Sequence, residues 1–114
     1  MKECLFCGIV GKKQAARIIL EDDIAVAFED IHPQAPVHVL LIPRKHLGSM
    51  NDAQEADRDI LGHLLLMAAK VAEMKQVHRS GYRLVVNTNA QAGQSVFHLH
   101  AHLLGGRTMK WPPG

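Results

Sequence analysis

The stretch SVFHLHAHLLGG, residues 95–106, decides the fold of this chain, because a histidine stands at every second position from His98 to His102. Residues of equal parity on a β-strand share one face. A strand therefore places His98, His100 and His102 side by side, whereas a helix would scatter them. The apolar residues between and after them, Leu99, Ala101 and Leu103, then face the core.

Three interpretations of these histidines are open: a solvated strand face, a three-histidine metal site, or one reactive imidazole with two supporting ones. The third fits best, because histidine is a nucleophile and a general acid or base near neutral pH. The preceding segment NTNAQAGQS, residues 87–95, supports it with amide and hydroxyl groups on a glycine-containing turn. Asn87, Gly93, Gln94 and Ser95 are therefore predicted to surround a phosphate.

The composition of the chain indicates one globular domain. It has 114 residues, of which 47% are hydrophobic and 21% charged, with a net charge of +2. The charge is too small and too dispersed to predict binding to nucleic acid or to an anionic membrane. Neither a signal-peptide pattern nor a membrane-length apolar run is visible, and Cys4 and Cys7 are too close together to staple a fold. We expect a cytoplasmic protein with reduced thiols.

The pattern along the chain predicts an α+β domain on a mainly antiparallel sheet. LFCGIV, residues 5–10, has helical spacing, and the strand-like segments are ARIILE, IAVAFED, VHVLLI, YRLVVN and VFHLHAHLL. A long helix is predicted between the third and fourth strands, capped by Asn51 with Gln54 and ended near Gly81, with His78 and Arg79 in its last turn. Its apolar stripe is Leu61, Leu64, Leu65, Ala68, Val71 and Ala72.

Several segments together resemble the histidine triad (HIT) superfamily. HLHAHLL, residues 98–104, fits its pattern His-φ-His-φ-His-φ-φ, where φ is hydrophobic. LEDD, AFEDIHPQAPVHVLLIPRKH, GYRLVVN, GQSVFHLHAHLLGGR and MKWPPG follow in order over nearly the whole chain and look like the Hint branch of nucleotide-binding proteins. The resemblance implies a single HIT domain over residues 1–114. It also implies a homodimer with a ten-stranded sheet, in which the tail 106–114 lies near the partner's active site.

The activity that the resemblance implies is hydrolysis of purine nucleoside phosphoramidates, in which AMP is joined through nitrogen to an amine or to lysine. His100 would attack the α-phosphorus and form a nucleotidyl-histidine, which water then cleaves. His102 and Ser95 would contact the phosphate or the leaving group, His98 would support the site, and His38 would belong to a proton relay. No cofactor is expected to be required for this reaction.

The resemblance also implies how the nucleotide is held. Asp30 would bind the ribose hydroxyls, and Asn87 would contact the phosphate and ribose. Trp111 would influence substrate choice from the tail. The apolar purine slot would consist of Leu5, Phe6, Ile9, Phe28, Ile31 and Leu40.

The chain departs from the usual Hint pattern at Gln14-Ala15-Ala16, where Ile-Pro-Ala is common, and this changes one wall of the base pocket. Cys4 and Cys7 form a CxxC pair, which is half of a tetrahedral zinc site. By resemblance to some bacterial HIT proteins, His46 and His98 would complete a structural zinc site. The alternative is two thiols without a metal. A redox role is less favoured, because the pair does not follow a strand in a βαβ unit.

Two other functions stay open at this level. One is another HIT activity, namely dinucleoside polyphosphate hydrolysis or nucleotidyl transfer. The other is a regulatory scaffold with a vestigial nucleotide pocket, against which the complete set of His38, Ser95 and the three histidines argues.

Overall fold

The computed structural model describes residues 4–114, which form one five-stranded antiparallel sheet with a long helix on one face and a short helix on the other. The sheet order is β1-β2-β3-β5-β4, so that β1 and β4 are its edges. The elements are α1 (Leu5–Val10), β1 (Ile18–Glu21), β2 (Ala25–Glu29), β3 (Val37–Pro43), α2 (Arg58–Met74), β4 (Tyr82–Val85) and β5 (Ala101–Gly105). This confirms the predicted fold class and the order of its elements.

The two central strands have a core on each face. Val39 and Leu41 of β3 pack toward α2, while Leu40 and Ile42 pack toward α1. The same division holds along β2, which is why both segments read as continuous apolar runs rather than as alternating ones. The face under α1 is the smaller of the two, and the histidines lie beside it.

The long helix is shorter than the sequence predicted. It begins at Arg58, because two 3-10 turns precede it, each closed by its own capping box, Ser49 with Asp52 and Gln54 with Asp57. Asn51 therefore lies inside the first turn and does not cap the helix. The helix ends at Met74, before the predicted last turn.

Two further expectations need correction. Leu65 is 58% exposed, and Met67 occupies the core in its place. The ladder of β5 begins only at Ala101, so His98 and His100 precede the strand instead of lying in it. The alternation continues through them nonetheless, because Leu99 is buried in the core and its N–H donates to the carbonyl of Leu47 at 2.6 Å.

Candidate functional site

The histidines of the triplet lie at the junction of α1, β3 and β5, and their surroundings differ. His98 is fully buried and His100 nearly so, whereas His102 is half-buried. Phe6 of α1 packs edge-on against His100, with ring centroids 5.1 Å apart, and fixes the plane of that ring. The His100 and His102 rings are 4.9 Å apart. The sequence-based prediction that the rings share one side is met, but they have unequal access to solvent.

Backbone carbonyls determine the tautomers of His98 and His100. Nδ1 of His100 lies 2.8 Å from the carbonyl oxygen of His98, and Nε2 of His98 lies 2.8 Å from that of Pro43. A carbonyl accepts only, so each of these nitrogens must be the one that bears hydrogen. In the neutral rings, Nε2 of His100 and Nδ1 of His98 then keep their lone pairs. A lone pair on Nε2 is what a nucleophilic imidazole requires, and a lone pair on Nδ1 is what a metal-ligating imidazole requires.

A backbone N–H sets the tautomer of His38 and, through it, that of His102. The N–H of Gln34 donates to Nδ1 of His38 at 3.0 Å, so the hydrogen of the neutral His38 ring is on Nε2. This Nε2 lies 2.9 Å from Nδ1 of His102 and 3.3 Å from Oδ2 of Asp30. His38 therefore donates to His102, which leaves Nε2 of His102 as its own N–H donor.

The same hydrogen bonds argue against a metal at Asp30, His38 and His102, although ligand atoms of all three lie within 4.8 Å of one another. Coordination through Nε2 of His38 would move its hydrogen to Nδ1, where it would face the N–H of Gln34. Two donors would then oppose each other in a partly buried position. The cluster is better described as a hydrogen-bonded relay.

Burial keeps this relay uncharged at neutral pH. Desolvation, together with the neighbouring His100 and His38 rings, lowers the pKa of His102 to about 4 against the opposing effect of Asp30. Desolvation also lowers the pKa of His38, although Asp30 acts in the opposite direction. Both rings are therefore neutral donors and acceptors under physiological conditions.

A pocket of about 270 Å³ opens beside these rings. Its polar lining includes Asp30, His32, Ser95, His100 and His102. Its apolar lining includes all six residues of the predicted purine slot, namely Leu5, Phe6, Ile9, Phe28, Ile31 and Leu40. A larger groove of about 550 Å³ lies between residues 80–83 and 106–109, but it contains no histidine. The smaller pocket is therefore the candidate active site.

In the loop before the triplet, the residues predicted to contact phosphate have different positions. Ser95 lines the pocket and makes no hydrogen bond to the described residues, so its hydroxyl and N–H are available. Gln94 is buried, and its side-chain amide bonds to the carbonyls of Gly48 and Val96 and to the N–H of Asn89. Gly93 adopts a left-handed conformation with φ of 81° that closes the turn. Gln94 and Gly93 thus shape the loop that presents Ser95.

Asn87 and Trp111 are not among the residues that line the pocket. Asn87 is half-buried just after β4. Trp111 is 82% exposed on the tail, which is held to β4 by a hydrogen bond from the Arg83 guanidinium to the carbonyl of Lys110. Within one chain, neither side chain contributes to the pocket wall.

Cys4, Cys7, His46 and His98 come together from three separate segments. Each sulfur lies 3.2 to 3.6 Å from Nδ1 of each histidine, and the two Nδ1 atoms are 3.1 Å apart. Ligands at ordinary zinc bond lengths in a tetrahedron lie about 3.4 to 3.8 Å apart, so two thiolates and two imidazoles at these separations fit zinc. The hydrogen bond from His98 to Pro43 supports the required tautomer.

Some groups that shape the site belong to the backbone and have no counterpart in the sequence pattern. The N–H of Gln34 and the carbonyl of Pro43 act through the backbone, which a residue pattern does not report. Gln14, Ala15 and Ala16 do line the pocket, in agreement with the prediction that they form one of its walls. No helix among residues 4–114 is long and apolar enough to cross a membrane.

This chain is similar to HIT proteins, in sequence and in structure, over nearly its whole length. The HIT domain profile matches residues 11–109. An uncharacterized HIT-like protein of Synechocystis is 49% identical over 113 residues, which is 99% of this chain and 98% of that protein. A HIT family hydrolase from Legionella pneumophila superposes with a TM-score of 0.96 at 47% identity, covering 98% of this chain and 100% of the other. A histidine triad nucleotide-binding protein from Candida albicans has a TM-score of 0.84 at 27% identity, with 96% and 83% of the two chains covered.

Proposed function

The chain belongs to the HIT domain family, and on that premise we propose that it is a Hint-type hydrolase that cleaves the P–N bond of purine nucleoside phosphoramidates. The observation that supports this most is the hydrogen bond from Nδ1 of His100 to the carbonyl of His98. It leaves the lone pair of Nε2 as the nucleophile at a pocket lined by Ser95 and His102.

The pocket suits a nucleoside monophosphoryl group. Its apolar lining suits a purine ring, and the carboxylate of Asp30 suits the ribose hydroxyls. Ser95 and Nε2 of His102 are donors for the phosphoryl oxygens, on which negative charge accumulates during the displacement. Trp111 and Asn87 would join the site through the tail and the end of β4 once a second copy is present.

The reaction has two steps. Nε2 of His100 attacks the α-phosphorus, the N–P bond to His100 forms, and the P–N bond to the amine breaks. The electron pair leaves with the amine nitrogen, which takes a proton from solvent. Water then attacks the phosphorus, loses a proton to solvent and returns the electron pair to Nε2, releasing AMP. The covalent intermediate replaces one difficult displacement by two easier ones.

Turnover of a fluorogenic adenosine phosphoramidate tests this proposal. His100→Ala is expected to lower kcat by more than about 10³-fold, while AMP binding measured by calorimetry persists. Unchanged turnover would reject the assigned nucleophile. Diadenosine polyphosphates, assayed in parallel, test the alternative HIT activity, and equal or faster cleavage of them would favour it. Absence of turnover on both substrates, with intact AMP binding, would favour a regulatory scaffold.

We also propose that Cys4, Cys7, His46 and His98 hold a structural zinc ion. When bound, zinc would tie α1 to the end of β3 and to the segment entering β5. The chain's own contribution is the close approach of the four ligand atoms. His98 connects this cluster to the reactive ring, because its carbonyl accepts the hydrogen bond from His100. No step of the reaction depends on the metal as a reagent.

Elemental analysis of protein purified without added metal tests the zinc proposal. The wild type is expected to contain about one zinc per chain, and Cys7→Ser and His46→Ala are expected to lose most of it. His63→Ala is the matched control, because His63 is half-buried but pairs with Asp22 away from the cluster. Sub-stoichiometric zinc in the wild type, with both thiols open to titration, would leave the cysteines without a metal.

The remaining proposals concern assembly and location. The open edge of β4 supports a homodimer in which two sheets join into one of ten strands. Cys4 and Cys7 as thiolate ligands require a reducing compartment, which supports a cytoplasmic location. Fractionation of the native cells tests the location directly.

A further inference from the structure

Gln14 occupies a defined place on the α1 wall of the pocket. It follows α1 in a tight turn, in which its N–H donates to the carbonyl of Gly8 at 3.0 Å. A Cβ atom at Gly8 would lie only 3.2 Å from Cβ of Gln14. The Cβ of Gln14 therefore packs closely against the backbone of α1 at Gly8. The turn thus positions the first atoms of Gln14 although the residue is exposed.

The chemistry of Gln14 differs from that of its neighbours on this wall. The pocket-lining residues on α1 and in the segment after it are otherwise apolar, namely Leu5, Phe6, Ile9, Ala15 and Ala16. Ala15 and Ala16 are small and leave room for a longer side chain beside them. On this wall of the pocket, Gln14 therefore supplies a carboxamide, whereas the other side chains offer only apolar contact.

The amide of Gln14 is also available for a ligand. Its side chain makes no hydrogen bond to the described residues, in contrast to the amide of Gln94, which bonds to three backbone groups. A carboxamide has one acceptor oxygen and an NH₂ with two donors, and it can present either to a partner. In a mostly apolar pocket, one such group is enough to select among ligands of similar shape.

We propose that Gln14 recognises the exocyclic group at position 6 of the purine. Its oxygen accepts from the 6-amino group of adenine, and its NH₂ donates to the 6-oxo group of guanine. This deepens the proposed function, on which it rests, by assigning the residue that distinguishes a substituted purine from the bare ring. His100, Ser95 and His102 act on the phosphoryl group and take no part in this selection.

Calorimetric binding of AMP and of purine riboside 5′-monophosphate, which lacks the 6-amino group, tests the proposal on the metal-replete protein. The wild type is expected to bind AMP about fivefold more tightly, the effect of one neutral hydrogen bond. Gln14→Leu keeps the size of the side chain and is expected to bind the two within about twofold of each other. Lys13→Met is the matched control, because Lys13 is the exposed neighbour outside this pocket, and it should keep the wild-type ratio.

The outcomes separate this inference from the proposed reaction. An equal AMP preference in Gln14→Leu and the wild type, or no preference in the wild type, would overturn the role of Gln14 even if P–N cleavage is observed. A lost preference in Gln14→Leu without P–N cleavage by the wild type would uphold the role of Gln14 and overturn only the reaction. Failure of the wild type to bind either nucleotide would overturn both.

Discussion

At the scale of single residues, the site depends on which nitrogen of each histidine bears hydrogen. The histidines themselves were identified from the sequence, but their tautomers were not. The groups that set them are the carbonyls of His98 and Pro43 and the N–H of Gln34. Backbone groups have no residue signature, and their positions depend on the loops. The resemblance implied the roles of these histidines, whereas the donor and acceptor nitrogens that would support those roles become visible only in the folded chain.

The titration of His102 tests the relay. Its pKa of about 4 lies below the ordinary value of 6.5, so the ring should stay neutral down to about pH 5, with hydrogen on Nε2. Imidazole nitrogen shifts measured by NMR report both properties. A ring that titrates above pH 6, or that bears hydrogen on Nδ1, would contradict the assigned donor and acceptor roles.

The same shift has a consequence for stability. Between about pH 4 and 6.5 the unfolded chain binds more protons at His102 than the folded chain does, so the free energy of unfolding rises with pH over this interval. His102→Gln removes this group, and we expect a shallower pH dependence in urea unfolding. An unchanged slope would mean that His102 is not desolvated in the folded protein.

At the scale of elements, patterns of alternation predicted the strands well and helix ends poorly. The alternation around the histidines predicted which side chains face the core, even for residues that precede the ladder of β5. Helix ends depend on competing local hydrogen bonds. Ser49 and Gln54 each formed a turn before α2, which displaced the start of the helix from Asn51 to Arg58.

The end of α2 was missed for a similar reason. The prediction placed a glycine stop at Gly81, but Gln76 adopts the left-handed conformation with φ of 58°. The N–H of Val77 donates to the carbonyl of Ala72 and that of Gln76 to Glu73, which is a Schellman motif. Val77 then packs against Gly105, where a side chain would clash. Packing of Val77 offsets the strain at Gln76.

Gln76→Gly should therefore stabilise the protein. Glycine adopts positive φ without steric strain, and we expect the free energy of unfolding to rise by about 0.5 to 1 kcal/mol after its greater entropy loss is included. Gln76→Ala keeps a Cβ and should give no gain. Urea unfolding of the three proteins measures the difference. A lower stability of the glycine variant would show that the Gln76 side chain itself contributes more than the strain costs.

At the scale of the whole molecule, the resemblance predicted contacts that local patterns do not contain. The approach of Cys4 and Cys7 to His46 and His98 joins residues separated by up to 94 positions, and spacing alone suggested only half of a zinc site. The residues of the predicted purine slot likewise come from α1, from β2 and the loop after it, and from β3. The exposed apolar side chains on α2 bear on the proposed dimer.

The two exposed leucines of α2 provide a matched test of the dimer. His63 pairs with Asp22, which follows β1, so the flank of α2 that bears His63 faces the β1 side of the sheet. Leu66 lines a groove on the same side together with Leu20 of β1. Leu65, about 200° around the helix from His63, faces the β4 side. We expect Leu65→Asp to weaken self-association by more than about tenfold in sedimentation experiments, whereas Leu66→Asp should leave it unchanged. A monomeric wild type, or equal effects of both variants, would contradict assembly through β4.

The central claim is that Nε2 of His100 forms a covalent bond to phosphorus. Rapid acid-free quenching of the enzyme during turnover of an adenosine phosphoramidate, followed by proteolysis and mass spectrometry, tests it most directly. We expect an adenylyl group on the peptide containing residues 98–102, located at His100 by fragmentation and absent from His100→Ala. An adduct on His98 or His102, or steady turnover with no adduct on any histidine under conditions that preserve phosphohistidine, would contradict it.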